Sequence, residues 1–200
     1  MIYGANGYTG RLIAGRAVAD GQRPILAGRD APKIEAVAKE LDCSFHVFSL
    51  TSAEATSKHL DGLSAVLHCA GPFSRTAETM IGACLLAGVD YLDITGELDV
   101  IEFAAQQHDL AMAAGIVIMP AVGFDVVPSD CLAAQLAAAL PTAIELELAF
   151  TARSSISPGT ANTMFADLPY AGRVRKDSHI IRVPTAWKTK QIRFPRGDRT

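Results

Sequence analysis

The sequence predicts an α/β chain, with a doubly wound parallel sheet over residues 1–142 and part of a second α/β (α+β) domain over 143–200. Two observations carry the first part. Six short, near-continuous apolar runs alternate with helical stretches, and hairpin signals between them are few. Right-handed crossovers between such runs lay helices on both faces of one sheet. A third observation sets the boundary: at about Thr142 the strand-helix alternation gives way to a period-two pattern.

The first strand is the short one. Only three residues precede Gly4 in "MIYGANGYTG", whereas a core strand typically has about five or six, so a late start or a clipped first strand is expected. "RLIAGRAVADG" then reads as a helix closing at Gly21, and "PILAGR" as the second strand. Asp30 is placed to N-cap "APKIEAVAKEL", whose Ile34, Val37, Ala38 and Leu41 fall at i, i+3, i+4 and i+7, the stripe of a helix lying on a sheet.

"SFHVFSL" is the third strand, and Thr51 with Glu54 has the spacing of a capping box for a short helix. "AVLHCA" is the fourth strand and enters the turn "GPF". Ala77, Met80, Ile81, Cys84 and Leu85 form the apolar face of the next helix, which Gly88 ends. "YLDIT" is the fifth strand, Leu98 to Ala114 a helix stopped by Gly115, and "IVIMPAV" the sixth strand. Beyond it, "AIELELAFTAR" sets Ile144, Leu146, Leu148 and Phe150 against Glu145 and Glu147, as in a half-solvated strand. Residues from Tyr170 onward are basic and strand-like. Fifty residues follow Phe150, and a substrate domain closing its own core needs roughly a hundred or more. The second domain is therefore expected to be incomplete, its apolar face covered by a further segment or a partner chain.

Composition narrows the function. Half of the 200 residues are hydrophobic and the formal net charge is -3, which suits a globular protein and gives no electrostatic reason to expect nucleic acid. Cys43, Cys69, Cys84 and Cys131 form no C-x-x-C pair and read as buried apolar thiols in a reducing compartment, with neither a disulfide frame nor a zinc site. The N-terminus lacks a basic and apolar leader pattern, and no apolar stretch is long enough to span a membrane. A cytoplasmic location is expected.

The chemistry centres on Gly4, Gly7 and Gly10. A glycine turn between strand and helix aims backbone amides and the positive end of the helix dipole at one point, where a pyrophosphate binds. Gly4 would allow the tight turn, Gly7 the approach of the phosphates, and Gly10 close packing of helix on strand. The second strand ends at Arg29, nineteen residues after Gly10, where an NAD enzyme usually carries an acid for the ribose 2'-hydroxyl. Arg29 suits a 2'-phosphate instead, with Asp30 as the competing ribose ligand. The cofactor expected is NADP, with NAD the weaker reading. The expected cofactor-binding set is Gly4, Asn6, Gly7, Tyr8, Thr9, Gly10 and Arg29, with Cys69, Ala70, Gly71, Pro72 and Phe73 from "HCAGPF" at the edge of the fourth strand.

Asp93, Thr95 and Glu97 in "DITGE", and Asp125 in "VGFDVVPSD", stand at the ends of the next strands, facing the presumed nicotinamide pocket. Asp125 is the catalytic candidate. Asp93 has a rival reading as a partner of loop amides, and Asp130 reads as a first-turn helix residue behind a Ser129 cap.

Taken together, "GANGYTG", "LAGRD", "CAGPF", "ACLLAGVDYLDITGE", "VGFDVVPSD" and "SPGTANTMF" resemble the saccharopine dehydrogenase-like oxidoreductases, including the bacterial trans-acting enoyl reductase branch. The resemblance implies a Rossmann domain joined to an α/β substrate domain, a nicotinamide cofactor, and hydride transfer to or from an imine or an activated alkene of a small-molecule or lipid-like substrate. A homodimer is left open. One departure is "FSLTS" at the end of the third strand, where members of the family often carry an Asp near the adenine.

Other readings are weaker. A short-chain dehydrogenase needs Tyr-x-x-x-Lys, but Tyr3, Tyr8, Tyr91 and Tyr170 are followed four residues later by Gly7, Leu12, Thr95 and Val174. A semialdehyde-dehydrogenase-like enzyme would use Cys131 as its nucleophile. A cofactor-binding regulatory module without turnover is the non-enzymatic alternative.

Overall fold

The computed structural model describes residues 1–124, 126–149, 172–177, 179–184, 187–194 and 197–199. The chain divides into two compact units, Met1–Ala143 and Ile144–Thr200.

The first unit is a six-stranded parallel sheet in the order β3-β2-β1-β4-β5-β6, with strands at Ile2–Tyr3 (β1), Leu26–Gly28 (β2), Phe45–Val47 (β3), Ala65–His68 (β4), Asp90–Asp93 (β5) and Ile118–Met119 (β6). The expected doubly wound parallel sheet is present. Because successive strand residues point to opposite faces, Ile2 and Leu26 enter one apolar core with Ala14, Ile34 and Val37, while Tyr3 and Ala27 enter the other with Val66, Met80, Ile81 and Tyr91. The first core lies under α1 (Tyr8–Ala19) and α2 (Ala31–Leu41). The second receives side chains from α4 (Ala77–Ala87), α5 (Leu98–Gln106) and α6 (His108–Ala114). Two filled faces are what near-continuous apolar strands require.

Several local expectations hold for the stated reasons. Ile34, Val37 and Ala38 are the buried stripe of α2, and the Asp30 side chain accepts from the Lys33 amide at its N-terminus. Gly88 and Gly115 take left-handed conformations at the ends of α4 and α6. Others change. Ser52, not Thr51, caps α3 (Ala53–Ser57), its hydroxyl accepting from the Ala55 amide at 3.1 Å. The expected helix from Leu98 to Ala114 is two helices broken at Gln107, whose φ and ψ of -85° and 6° leave the helical region. Gln107 offers its carbonyl to the Ala111 amide and so starts α6. Ser129 lies inside the first turn of α7 (Val127–Ala139), donating to the Val126 carbonyl, and does not cap it. The apolar run at β6 pairs over two residues only.

In the second unit, β7 (Gly172–Lys176) pairs antiparallel with β8 (His179–Val183), and β9 (Ile192–Phe194) with β10 (Gly197–Arg199). The half-solvated strand expected from Ala143 forms no ladder over its described part, and Ile144 is 97% exposed. Glu147 instead makes an ion pair with Lys190. Residues 150–171, including "SPGTANTMF", lie outside the described residues, as does Asp125.

Candidate functional site

The strand order places β1 between β2 and β4, and chain direction around the sheet reverses there. The loops after β1 and β4 therefore diverge and leave a crevice at the carboxyl edge. Gly4 follows β1 with φ of +85°, which L side chains rarely adopt. Its amide donates to the Ala27 carbonyl at 2.7 Å, and the Gly7 amide returns to the Gly4 carbonyl at 2.9 Å, closing the turn. A Cβ on Gly10 would stand 2.4 Å from the Gly4 carbonyl oxygen, so only glycine lets α1 pack this closely on the turn.

Helix α1 has Gly7 at its N-cap and no side-chain cap. Among the described residues no acceptor serves the amides of Tyr8, Thr9 and Gly10, the orphan donors of a first helical turn. Tyr8 and Thr9 are exposed. An anion at this point meets free amides and the positive helix end together, so the residues fit a pyrophosphate.

At the end of β2, the Asn6 side-chain oxygen reaches over Gly28, 3.0 Å from where a Cβ would stand. Arg29 is exposed and makes no hydrogen bond or ion pair among the described residues. Asp30 is engaged: its carboxylate accepts from the Lys33 amide at 3.3 Å and pairs with the Lys33 ammonium at 2.7 Å. The Lys33 hydrogen bond holds the Asp30 carboxyl below its ordinary range. The residue that competed with Arg29 is thus committed to starting α2.

Across the crevice, Cys69 and Ala70 follow β4, and the Gly71–Pro72 bond is cis. His68 is fully buried beneath this loop, among the rings of Tyr3, Phe73 and Tyr91. Its Nε2 lies 2.9 Å from the Thr76 hydroxyl, which donates to the Ala70 carbonyl at 2.9 Å. Burial pushes the imidazole down to about 3, so the ring is neutral. Burial, with the Asp93 charge adding to it, pushes the Cys69 thiol up to about 12. Cys69 is an uncharged wall of the loop.

Two of the carboxylates expected at the nicotinamide pocket, Asp93 and Glu97, hold neighbouring loops by hydrogen bonds. Asp93 is fully buried and accepts from the Tyr91 hydroxyl at 2.6 Å and from the amides of Thr95 at 2.9 Å and Ala121 at 2.8 Å. Its rival reading, a partner of loop amides, is the structural one. Thr95 is buried, its hydroxyl accepting from the Glu97 amide at 3.0 Å. The Glu97 carboxylate accepts from the amides of Phe73 and Ser74, both at 2.8 Å. Cys131, expected to be buried, is exposed. Among the described residues no group of three or more His, Cys, Asp or Glu is placed to hold a metal ion, and no helix is long and apolar enough to cross a membrane.

The Glu97 bridge was not visible in the sequence, since it joins the loops after β4 and β5; the His68–Thr76 contact lies within the connection from β4 to α4 and depends on how that connection folds back. A mostly apolar groove of about 410 Å3 between α5, α6 and β6 is lined by Ile101, Met112 and Ile118 among others, with His108 as its one ionisable side chain.

A parallel sheet of this order with this turn defines a Rossmann-type dinucleotide-binding domain. Comparison with known proteins carries the assignment further. The family model of the saccharopine dehydrogenase NADP-binding domain matches residues 1–119, and the chain belongs to that saccharopine dehydrogenase-like oxidoreductase family. A probable mitochondrial saccharopine dehydrogenase-like oxidoreductase of Arabidopsis thaliana is 30% identical over all of this chain and 46% of its own length. A putative trans-acting enoyl reductase of Mycobacterium tuberculosis is 35% identical over 65% of this chain and 33% of its own length. The chain therefore spans about a third to a half of these curated relatives. The solved structure of apo saccharopine dehydrogenase (L-Glu forming) from Saccharomyces cerevisiae shares the fold, with a TM-score of 0.67 at 15% identity over 98% of this chain and 47% of that one.

Proposed function

We propose that the first unit binds NADPH in preference to NADH, and that the protein transfers a hydride to or from an imine or enoyl group of a small-molecule or lipid-like substrate. The observation that carries the cofactor preference is the pairing of Asp30 with Lys33, which leaves Arg29 as the side chain at the end of β2 that makes no hydrogen bond or ion pair among the described residues. In this reading Gly4, Asn6, Gly7, Tyr8, Thr9 and Gly10 hold the pyrophosphate. Arg29 holds the 2'-phosphate with its planar fork. Residues 69 to 73 line the nicotinamide half. When bound, the nicotinamide supplies the hydride chemistry.

The substrate class is supported by the family and by the names of the Arabidopsis and mycobacterial relatives. Asp125 is proposed to border the nicotinamide. The Cys131 nucleophile has less support, because among the described residues no hydrogen bond or ion pair activates that thiol. Titration of the full chain with NADPH and NADH, followed by fluorescence of the bound reduced nicotinamide, tests the reading. Tighter binding of NADPH is expected, and equal dissociation constants overturn it. Binding of NADPH without oxidation by imine or enoyl substrates would favour the regulatory-module alternative.

A further inference from the structure

We infer that Glu97 is a positioning residue for the nicotinamide half of the cofactor, acting through the loop after β4; the inference rests on the reading of the crevice as an NADPH site. Glu97 stands between β5 and α5, yet its two carboxylate oxygens are spent on Phe73 and Ser74, 24 and 23 residues earlier in the chain, each at 2.8 Å. These two amides begin the three-residue 3-10 turn Phe73–Arg75, which has no side-chain cap of its own. The turn's own bonds run from the Arg75 and Thr76 amides to the Pro72 and Phe73 carbonyls, which leaves its first two amides to an acceptor from outside the turn. Two charge-assisted hydrogen bonds, donated by these amides to one carboxylate, fix both the position and the direction of the turn.

The loop so fixed is a wall of the crevice. Its other side is set by Gly4, where a Cβ would come within 2.9 Å of the Ala70 amide nitrogen. The loop thus lies between the glycine turn and Glu97, and any shift at Phe73 changes the width of the crevice. Glu97 is itself anchored, since its amide donates to the Thr95 hydroxyl, the Thr95 amide to Asp93, and the same Asp93 oxygen accepts from the Ala121 amide after β6. One polar chain therefore joins the loops after β6, β5 and β4. These strands form the half of the sheet opposite the one that carries Arg29, and the two halves of a dinucleotide lie on opposite sides of the switch point. Glu97 should accordingly govern the nicotinamide end and leave the adenine end alone.

The test uses the full chain with Glu97→Ala and Glu97→Gln, and two probes: NADPH, and adenosine 2',5'-bisphosphate, which carries the adenine and 2'-phosphate without a nicotinamide. Glu97→Ala is expected to weaken NADPH about tenfold, the usual scale for hydrogen bonds to a charged group, while the bisphosphate changes by less than about twofold. Glu97→Gln, which keeps one acceptor oxygen, is expected to lie between wild type and Glu97→Ala, and it decides the matter if Glu97→Ala does not fold. Unchanged NADPH binding in a folded variant, or equal losses for both probes, overturns the inference while leaving the cofactor site in place. A wild-type chain that binds neither probe overturns the site reading and the inference with it.

Discussion

Gly4 and Ala70 meet back to back across the crevice, so closely that a Cβ on Gly4 would lie 2.9 Å from the Ala70 amide nitrogen and 3.0 Å from its Cβ. The contact holds together the two loops that leave β1 and β4 in different directions. Gly4 also has φ of +85°, so a side chain there is opposed by both backbone conformation and space. Gly4→Ala is expected to destabilise the first unit by about 2–4 kcal/mol, combining left-handed strain with overpacking. Urea unfolding measures this; a midpoint within error of wild type would mean that the loops separate freely.

Gly7 differs from Gly4 in a useful way. Its φ and ψ of -73° and 163° are open to any residue, and a Cβ would be tight only against the Gly4 carbonyl, at 3.2 Å. Gly7→Val is therefore expected to fold and to lose NADPH binding by about a hundredfold or more, because the branched side chain takes the space of the pyrophosphate, a loss of about 3 kcal/mol. Unaltered binding in a folded variant would place the dinucleotide elsewhere.

Arg29→Ala isolates the 2'-phosphate. The variant is expected to weaken NADPH by about 10- to 100-fold, the scale of a charge-assisted contact, and to leave NADH unchanged. Parallel titrations of both cofactors check this, and an undiminished preference for NADPH would remove Arg29 from the site. Lys33 is a poor substitute in the variant because Asp30 already holds it.

Order of elements was legible because it is written locally. Asp30 capping α2, Gly88 and Gly115 closing α4 and α6, and the Ile34–Val37–Ala38 stripe each depend on residues within one or two turns. The glycine turn was legible for the same reason. Reading failed where a partner comes from another part of the fold. Glu97 looks like a free carboxylate in "DITGE", and only the approach of the β4 and β5 loops reveals that Phe73 and Ser74 use both its oxygens. Thr51 and Ser52 are equally good caps by residue type, and one hydrogen bond to Ala55 decides between them. The period-two pattern from Ile144 gives a preference for strand without supplying a neighbour to pair with, and its described part carries no ladder.

The last prediction concerns His68, which lies beneath the loop after β4, its Nδ1 without a hydrogen-bond partner among the described residues and its ring without exposure to solvent. Burial lowers its folded-state value from 6.5 to about 3. The unfolded chain therefore binds a proton that the folded chain refuses between these two values. Its contribution to stability is complete above the unfolded value and is lost as pH falls from about 6.5 toward 3. Between pH 7 and pH 5 the loss from this group is expected to be about 2 kcal/mol, on a scale of roughly 1.4 kcal/mol per pH unit. His68→Gln removes the titrating ring. The variant should be less stable at pH 7, since the aromatic contacts with Tyr3, Phe73 and Tyr91 go with the ring, yet its stability should change less between pH 7 and pH 5. Urea unfolding at the two pH values gives both quantities. An equal slope in wild type and variant would show that the ring takes up its proton without unfolding the loop, and that the acid sensitivity of this domain resides elsewhere.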